Sequence, residues 1–362
     1  MKVIHVSHYY AEFKGSFINQ IETLADKVLE NGDNIVFLFP NEAKDLKWCQ
    51  QLSKKYKMYF LSNINRNTER QVIKELREIL KKENPDIIHS HFDGYDLPIT
   101  KAINDEVIKI YHRHNEFDVS NLSIYKKLYA MATLKIKMNY IKNKGYNIFP
   151  SSDILNKFIK LGYVKKHNSR VIENGIATKR LDRTYSVNKY DKPAIFSLIG
   201  NWERKGGDVL FKAIEKINSK EIKVYLTSII KSNTVSEKMG YLPKWFIPLE
   251  ATDDIKEYYD KADIFVSSSR KETFSYALAE AIYCKLACIS SDIEGVQWSK
   301  EIPTVKFFEN ENINELESKI YECLDKKYSN EECESSKRTI KEKYSEYTWS
   351  SNVIKMYSEL MS

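Results

Sequence analysis

Short apolar runs alternating with amphipathic stretches, in two successive series, constrain this chain more than any other feature. Residues 3–7, 35–39, 85–91, 107–111 and 146–149 read as strands. Between the first two, Ile18, Ile21, Leu24, Ala25, Val28 and Leu29 recur at helical spacing and give one apolar stripe. Gly32 follows where that helix should end, a position that favours glycine. Residues 68–82 read as another helix, and 171–172 as a short strand before Glu173, Asn174 and Gly175. Strands apolar throughout, separated by helices, are those of a parallel sheet covered on both faces. Residues 177–193 carry no apolar period and read as a linker. The pattern then restarts, with strands at 194–199, 222–227, 264–267 and 286–290 and helices at 209–217, 254–261 and 276–284. With 362 residues the chain can hold two such α/β domains, each with its own core. We place the first at 1–178, the second at 192–341, and an amphipathic helix in the last segment, 342–362.

The residues able to do chemistry stand where strands run into helices. In an open α/β sheet these junctions are where ligands bind, and a helix start offers unpaired N–H groups suited to a phosphate. Lys271-Glu-Thr-Phe-Ser-Tyr-Ala-Leu-Ala-Glu280 carries two acids, Glu272 and Glu280, across one junction. A carboxylate beside a phosphate site is suited to hydroxyls rather than to phosphate, and a sugar nucleotide has both groups. The plain alternative is a surface glutamate followed by an ordinary helix glutamate. Gly200-Asn-Trp-Glu-Arg-Lys-Gly-Gly-Asp208 sets two cations among glycines at another junction. Arg204 offers a planar fork and Lys205 a compact charge, a pair that can neutralise a diphosphate. Lys14-Gly15-Ser16 stands at a third junction, where Gly15 would allow close backbone approach. His112 and His114 lie at the tip of a strand beside Arg113 and Asn115, and His89 and His91 form a similar pair. Neither pair joins Cys, Asp or Glu in a metal-binding pattern, so no zinc site is read. Asp253-Asp254 reads as a capping pair rather than a metal motif.

Glu272 and Glu280, seven residues between them, resemble the double-glutamate signature of the retaining, GT-B-fold glycosyltransferases of family 4. Phe274 and Ser275 between them, and Ala-Glu-Ala on the following helix, strengthen the resemblance. Gly15, His114, Asn174-Gly175 and Arg204-Lys205 extend it in order along nearly the whole chain. The resemblance implies two Rossmann-like domains facing a cleft, with the C-terminal helix returning to the first domain. It implies that Glu272 contacts hydroxyls of the donor sugar and Glu280 the ribose. Backbone amides around Phe274, Ser275 and Tyr276 would hold the diphosphate. Arg204 and Lys205 would stabilise the leaving group, with His114, rather than His112, meeting the sugar or the reacting centre. Gly15, Ser16, His112, Asn174 and Gly200 complete the expected substrate-binding set. No cofactor or metal is expected. The arginine directly before the lysine is similar to lipopolysaccharide-core members. Departures are plain: Thr273 and Ser275 replace the usual glycines, Cys284-Lys-Leu-Ala-Cys288 lacks the family's glycine and proline, and Ile293-Glu-Gly-Val-Gln297 replaces its Gly-Gly loop.

Charge and cysteine narrow the partners. Residues 1–180 hold 30 basic against 20 acidic residues, and 181–362 hold 27 against 30. Residues 119–152 contain Lys126, Lys127, Lys135, Lys137, Lys142 and Lys144 and no acid, interleaved with tyrosines and aliphatics. Such a segment suits an anionic membrane surface, and equally a half-buried helix with a solvated lysine face. No recognition motif points to nucleic acid. Five cysteines without zinc-type spacing, and an N-terminus without a long apolar core, point to the cytoplasm or the inner membrane leaflet. The expected partners are a UDP-linked nucleotide-sugar donor and a glycan or lipid-linked acceptor of the cell envelope. Other GT-B enzymes, a UDP-sugar epimerase or a sugar phosphorylase, and a non-enzymatic protein of anionic surfaces remain as rival readings.

Overall fold

The structure, a computed structural model, describes every residue except 104–105, 115–122 and 184–186. By contact the chain forms two compact units. The first comprises Met1–Lys14, Ile18–Glu173 and Trp349–Ser362; the second comprises Gly15–Phe17 and Asn174–Thr348.

The first unit is built on strands β1 (Lys2–Ser7), β2 (Asn34–Pro40), β3 (Lys57–Leu61), β4 (Ile87–His91), β5 (Ile108–His112), β6 (Tyr146–Phe149) and β7 (Ser169–Val171). They form one sheet in the order β3-β2-β1-β4-β5-β6-β7, every pair parallel. The second unit holds β8 (Ala194–Ser197), β9 (Tyr225–Ser228), β10 (Phe246–Pro248), β11 (Ile264–Ser267), β12 (Ala287–Ser291) and β13 (Val305–Phe308). Their order is β10-β9-β8-β11-β12-β13, again all parallel. The central strands β4 and β11 are buried at every position, as strands covered on both faces must be. In each sheet the order reverses once, between β1 and β4 and between β8 and β11. These are the switch points beside which open α/β sheets bind ligands.

The stripe read at residues 18–29 lies on the helix Gly15–Glu30, with Ile18, Ile21, Leu24, Ala25 and Val28 fully buried; Leu29 is exposed. Gly32 follows it at φ +78°. The segment read as a linker contains a short helix, Thr178–Leu181, and Ile176 and Leu181 join the second unit's core. Ile176 N–H donates to Tyr344 O at 2.7 Å, tying this passage to the end of the same unit. The helix Lys256–Lys261 has Ile255 at its N-cap position, and Asp254, just before it, lies 3.5 Å from Arg183. The C-terminal helix Glu346–Met361 carries Trp349, Val353, Met356 and Tyr357 into the first unit's interior.

Candidate functional site

Two loops meet at the switch point of the second unit. The first runs from β8 to the helix Gly207–Asn218, and the second from β11 to the helix Tyr276–Tyr283. Ser268 Oγ donates to the carbonyls of Lys205 and Gly206 at 2.9 and 3.1 Å, and Arg270 N–H donates to Arg204 O at 2.8 Å. Gly206 sits at φ +62° against Ser268, where a Cβ would come within 2.0 Å of the Ser268 carbonyl. Only glycine permits that approach. Arg270 adds a bidentate grip on Asp208 at 2.9 and 2.8 Å, a latch the sequence reading missed.

This latching brings Arg204, Lys205 and Glu272 together. Lys205 Nζ pairs with Glu272 Oε1, Arg204 Nη1 lies 3.6 Å from Oε2, and Ser269 Oγ donates to Oε1 at 2.9 Å. Glu272 is only 9 % exposed, whereas Arg204 is 43 % exposed and can turn toward solvent. Beneath the loop, a Cβ on Gly295 would meet Glu272 O at 1.9 Å. The loop that departs from the family's Gly-Gly pattern thus still supplies a glycine against the Glu272 backbone.

Ser275 precedes the helix Tyr276–Tyr283 at φ +65°, and its hydroxyl is buried with no hydrogen-bond partner among the described residues. The side chain stands where the resemblance leads one to expect glycine, and the backbone keeps glycine's conformation. Phe274 turns inward, its ring stacked on Trp298 at 5.0 Å, and its carbonyl accepts from Trp298 Nε1 at 2.7 Å. Any ligand contact by Phe274 is therefore left to its backbone N–H. Tyr276 is half-buried, its ring edge-on to Phe274. Open space surrounds the Cβ direction of Gly200.

Glu280 is already engaged. Its carboxylate pairs with Arg180, accepts from Ser16 Oγ at 2.5 Å and from Tyr259 Oη at 3.1 Å, and is buried. Burial, and next the Glu280 charge, drive the Tyr259 hydroxyl well above its ordinary range. Arg180 and Tyr259 were invisible to motif reading, because their link to Glu280 spans 100 and 21 positions. Gly15, at φ +58°, opens the helix that carries Ser16. Asn174 is buried, and both atoms of its amide lack partners among the described residues.

His112 and His114 belong to the first unit, at and just beyond the end of β5, and both are buried. Asn115 lies outside the described residues. Burial pushes His114 down to about 3 and His112 well below its ordinary value near 6.5. The pairs that the sequence analysis kept apart meet: nitrogens of His5, His89 and His91, and of His91, His112 and His114, lie within 4.8 Å of one another. That spacing admits a metal ion, although the nitrogens also hydrogen-bond among themselves.

Two family models match the chain: Glycosyltransferase Family 4 over residues 19–180 and Glycosyl transferases group 1 over 193–326, together well over half of its length. The protein belongs to the family 4 glycosyltransferases. It is an enzyme of that class, with the GT-B fold. Solved structures agree on the fold. A glycosyltransferase from Rickettsia africae is 18% identical, with a TM-score of 0.79, covering 100% of this chain and 98% of its own. Anabaena Alr3699/HepE, solved with UDP and glucose, is 13% identical with a TM-score of 0.79 over 99% of both chains. The lipopolysaccharide outer core galactosyltransferase WaaB is 18% identical with a TM-score of 0.69, over 99% of this chain and 100% of its own. No match was found among curated proteins.

Proposed function

We propose that this glycosyltransferase is retaining and moves a hexosyl or N-acetylhexosaminyl group from a UDP-sugar to a cell-surface glycan acceptor, such as a lipopolysaccharide, capsule or teichoic-acid precursor. The observation that carries the reading is the cluster of Lys205 and Arg204 on Glu272, latched at the switch point of the second sheet. When the bond from the anomeric carbon to the diphosphate breaks, its electron pair stays on the departing oxygen. Lys205, Arg204 and the N–H groups opening the helix Tyr276–Tyr283 are the donors for that charge. Glu272 then accepts from sugar hydroxyls and Glu280 from the ribose, with Arg180 and Tyr259 holding the latter. The acceptor oxygen bonds to the anomeric carbon on the face the diphosphate leaves, and its proton passes to a leaving phosphate oxygen. His114 contacts the donor sugar. The Anabaena relative solved with UDP-glucose supports the donor class, and WaaB supports an envelope acceptor.

A panel of nucleotide sugars in thermal-shift measurements tests the donor. Binding at a hundred times Kd stabilises the native state by about 2.7 kcal/mol. A UDP-sugar should raise the midpoint of the wild type and do so much less for Lys205→Ala. No shift with any nucleotide sugar would refute the donor, and equal shifts in both proteins would refute the role of Lys205. Turnover of a UDP-sugar without acceptor would favour the epimerase reading, and a lysine-bound pyridoxal absorbance the phosphorylase.

A specific observation extends the reading to a lipid surface. On the helix Ile124–Ile141, Ile124, Tyr125, Leu128 and Ile136 are between 62% and 86% exposed, beside Lys126, Lys127 and Lys135. Among its residues only Met138 and Ile141 are buried. No helix among the described residues is long and apolar enough to cross a membrane. An exposed apolar and basic helix fits the anionic face of a bilayer carrying a lipid-linked acceptor.

A further inference from the structure

A serine just before a helix ordinarily caps it, its side-chain oxygen accepting an N–H of the first turn. Ser151 and Ser329 do so in this chain. With extended backbones, they accept from Ile154 N–H at 3.3 Å and from Glu332 N–H at 3.1 Å. Ser275 holds the same position before the helix Tyr276–Tyr283 and makes no such bond. Its backbone is left-handed, at φ +65° and ψ +74°. The residue is 5 % exposed, and its hydroxyl has no hydrogen-bond partner among the described residues. An unmade bond at a buried polar group calls for an explanation.

The other helix of the site opens in the same way. Gly206, before the helix Gly207–Asn218, is also left-handed, at φ +62°. There the Ser268 carbonyl leaves no room for a side chain. At position 275 a side chain is present, although glycine would hold this backbone with less strain. What serine adds to the conformation is a hydroxyl group, set at a helix start where N–H donors suit an oxyanion.

We infer that the Ser275 hydroxyl is a hydrogen-bond donor to the diphosphate of the nucleotide sugar, alongside the N–H groups that open its helix. In the ligand-free protein the hydroxyl has no bond to give up, so a phosphate oxygen gains one without breaking another. The bond is charge-assisted, and it strengthens as the bond to the anomeric carbon breaks and negative charge gathers on the diphosphate. Rotation about Cα–Cβ moves the oxygen between staggered positions with the backbone unmoved, and so turns a buried hydroxyl toward the ligand. The inference rests on the reading of this junction as the diphosphate site.

Titration calorimetry of the full chain with UDP, beside thermal unfolding without ligand, tests the hydroxyl. Ser275→Ala removes it and keeps the strained backbone; Ser275→Gly removes it and relieves the strain. Both should weaken UDP binding by about tenfold. Affinity for uridine, which carries no phosphate, should stay unchanged. Without ligand, the unfolding midpoint should not fall in Ser275→Ala and should rise in Ser275→Gly. Equal UDP affinity in wild type and Ser275→Ala would overturn the inference. So would a parallel loss of uridine affinity, or a lower midpoint for Ser275→Ala, since the hydroxyl would then be engaged in the ligand-free protein. Lys205→Ala separates the two failures. If it weakens UDP binding and the serine variants do not, the hydroxyl fails and the diphosphate site stands. No UDP binding by the wild type would refute both.

Discussion

At the scale of single residues, the site is shaped by positions where backbone conformation and side chain disagree. Ser275 holds φ +65° with a buried hydroxyl that finds no partner among the described residues. The left-handed conformation costs a non-glycine residue roughly 1–2 kcal/mol, and an unmade buried hydrogen bond adds to it. Glycine relieves both and gives back about 0.5–1 kcal/mol through the freer unfolded chain. Ser275→Gly should therefore raise the unfolding midpoint by a few degrees, about 1 kcal/mol, in calorimetry. A lower midpoint would mean that the hydroxyl contributes to the native state. The family resemblance located this position from Glu272 and Phe274, but not the strain, which depends on a dihedral angle no residue name reveals.

At the scale of elements, the buried central strands were legible, whereas several edge strands and outer helices were not. Strand β3 is an edge strand with three half-buried residues, and β13 is another, each carrying a lysine. Lysine on an edge strand discourages pairing with other chains, and it also blurs the apolar signal. The helix Asn330–Lys343 buries only Ser336 and Ile340 and shows no stripe to read. The helix Ile124–Ile141 is the reverse case, apolar yet exposed. Its lysines do not form one uniform solvated face, because Lys137 donates to Asp93 O at 2.6 Å. Lys126, Lys127 and Lys135 have no such anchor among the described residues. Each lysine near an anionic surface contributes about 1 kcal/mol. Lys126→Glu with Lys127→Glu should cut sedimentation with phosphatidylserine vesicles by at least tenfold at low salt, and leave neutral vesicles unaffected. Equal sedimentation of wild type and variant would end the lipid reading.

At the scale of the whole molecule, the last segment of the chain completes the first unit, where Trp349 and Tyr357 lie against His112, His89 and His5. Stability inherits the chemistry of that patch. Burial lowers His5 and His114 to about 3 and the other three well below their ordinary value near 6.5, with the neighbouring rings and, for His112, Arg113 adding to it. The unfolded chain thus binds more protons than the native one below pH 6.5. The sign follows: this contribution is complete above about 6.5 and is lost as pH falls toward 3, by up to about 1.4 kcal/mol per pH unit for each ring. Carboxylates held low by cations, such as Glu22 and Asp208, act at more acidic pH. The unfolding midpoint should fall steeply between pH 6.5 and 5, and a flat profile there would contradict neutral burial of the five rings.

The sequence by itself determined two parallel α/β sheets, the enzyme class, and the junctions holding Arg204, Lys205, Glu272 and Glu280. Those features are local: apolar period, a strand end, and residue types at fixed spacing. Only the tertiary structure decided that Arg180 and Tyr259 hold Glu280, that Arg270 latches the two loops, and that five histidines and Tyr357 meet in one buried patch. Such contacts join positions up to 352 residues apart. They arise from strand order and register, which no single stretch of sequence records.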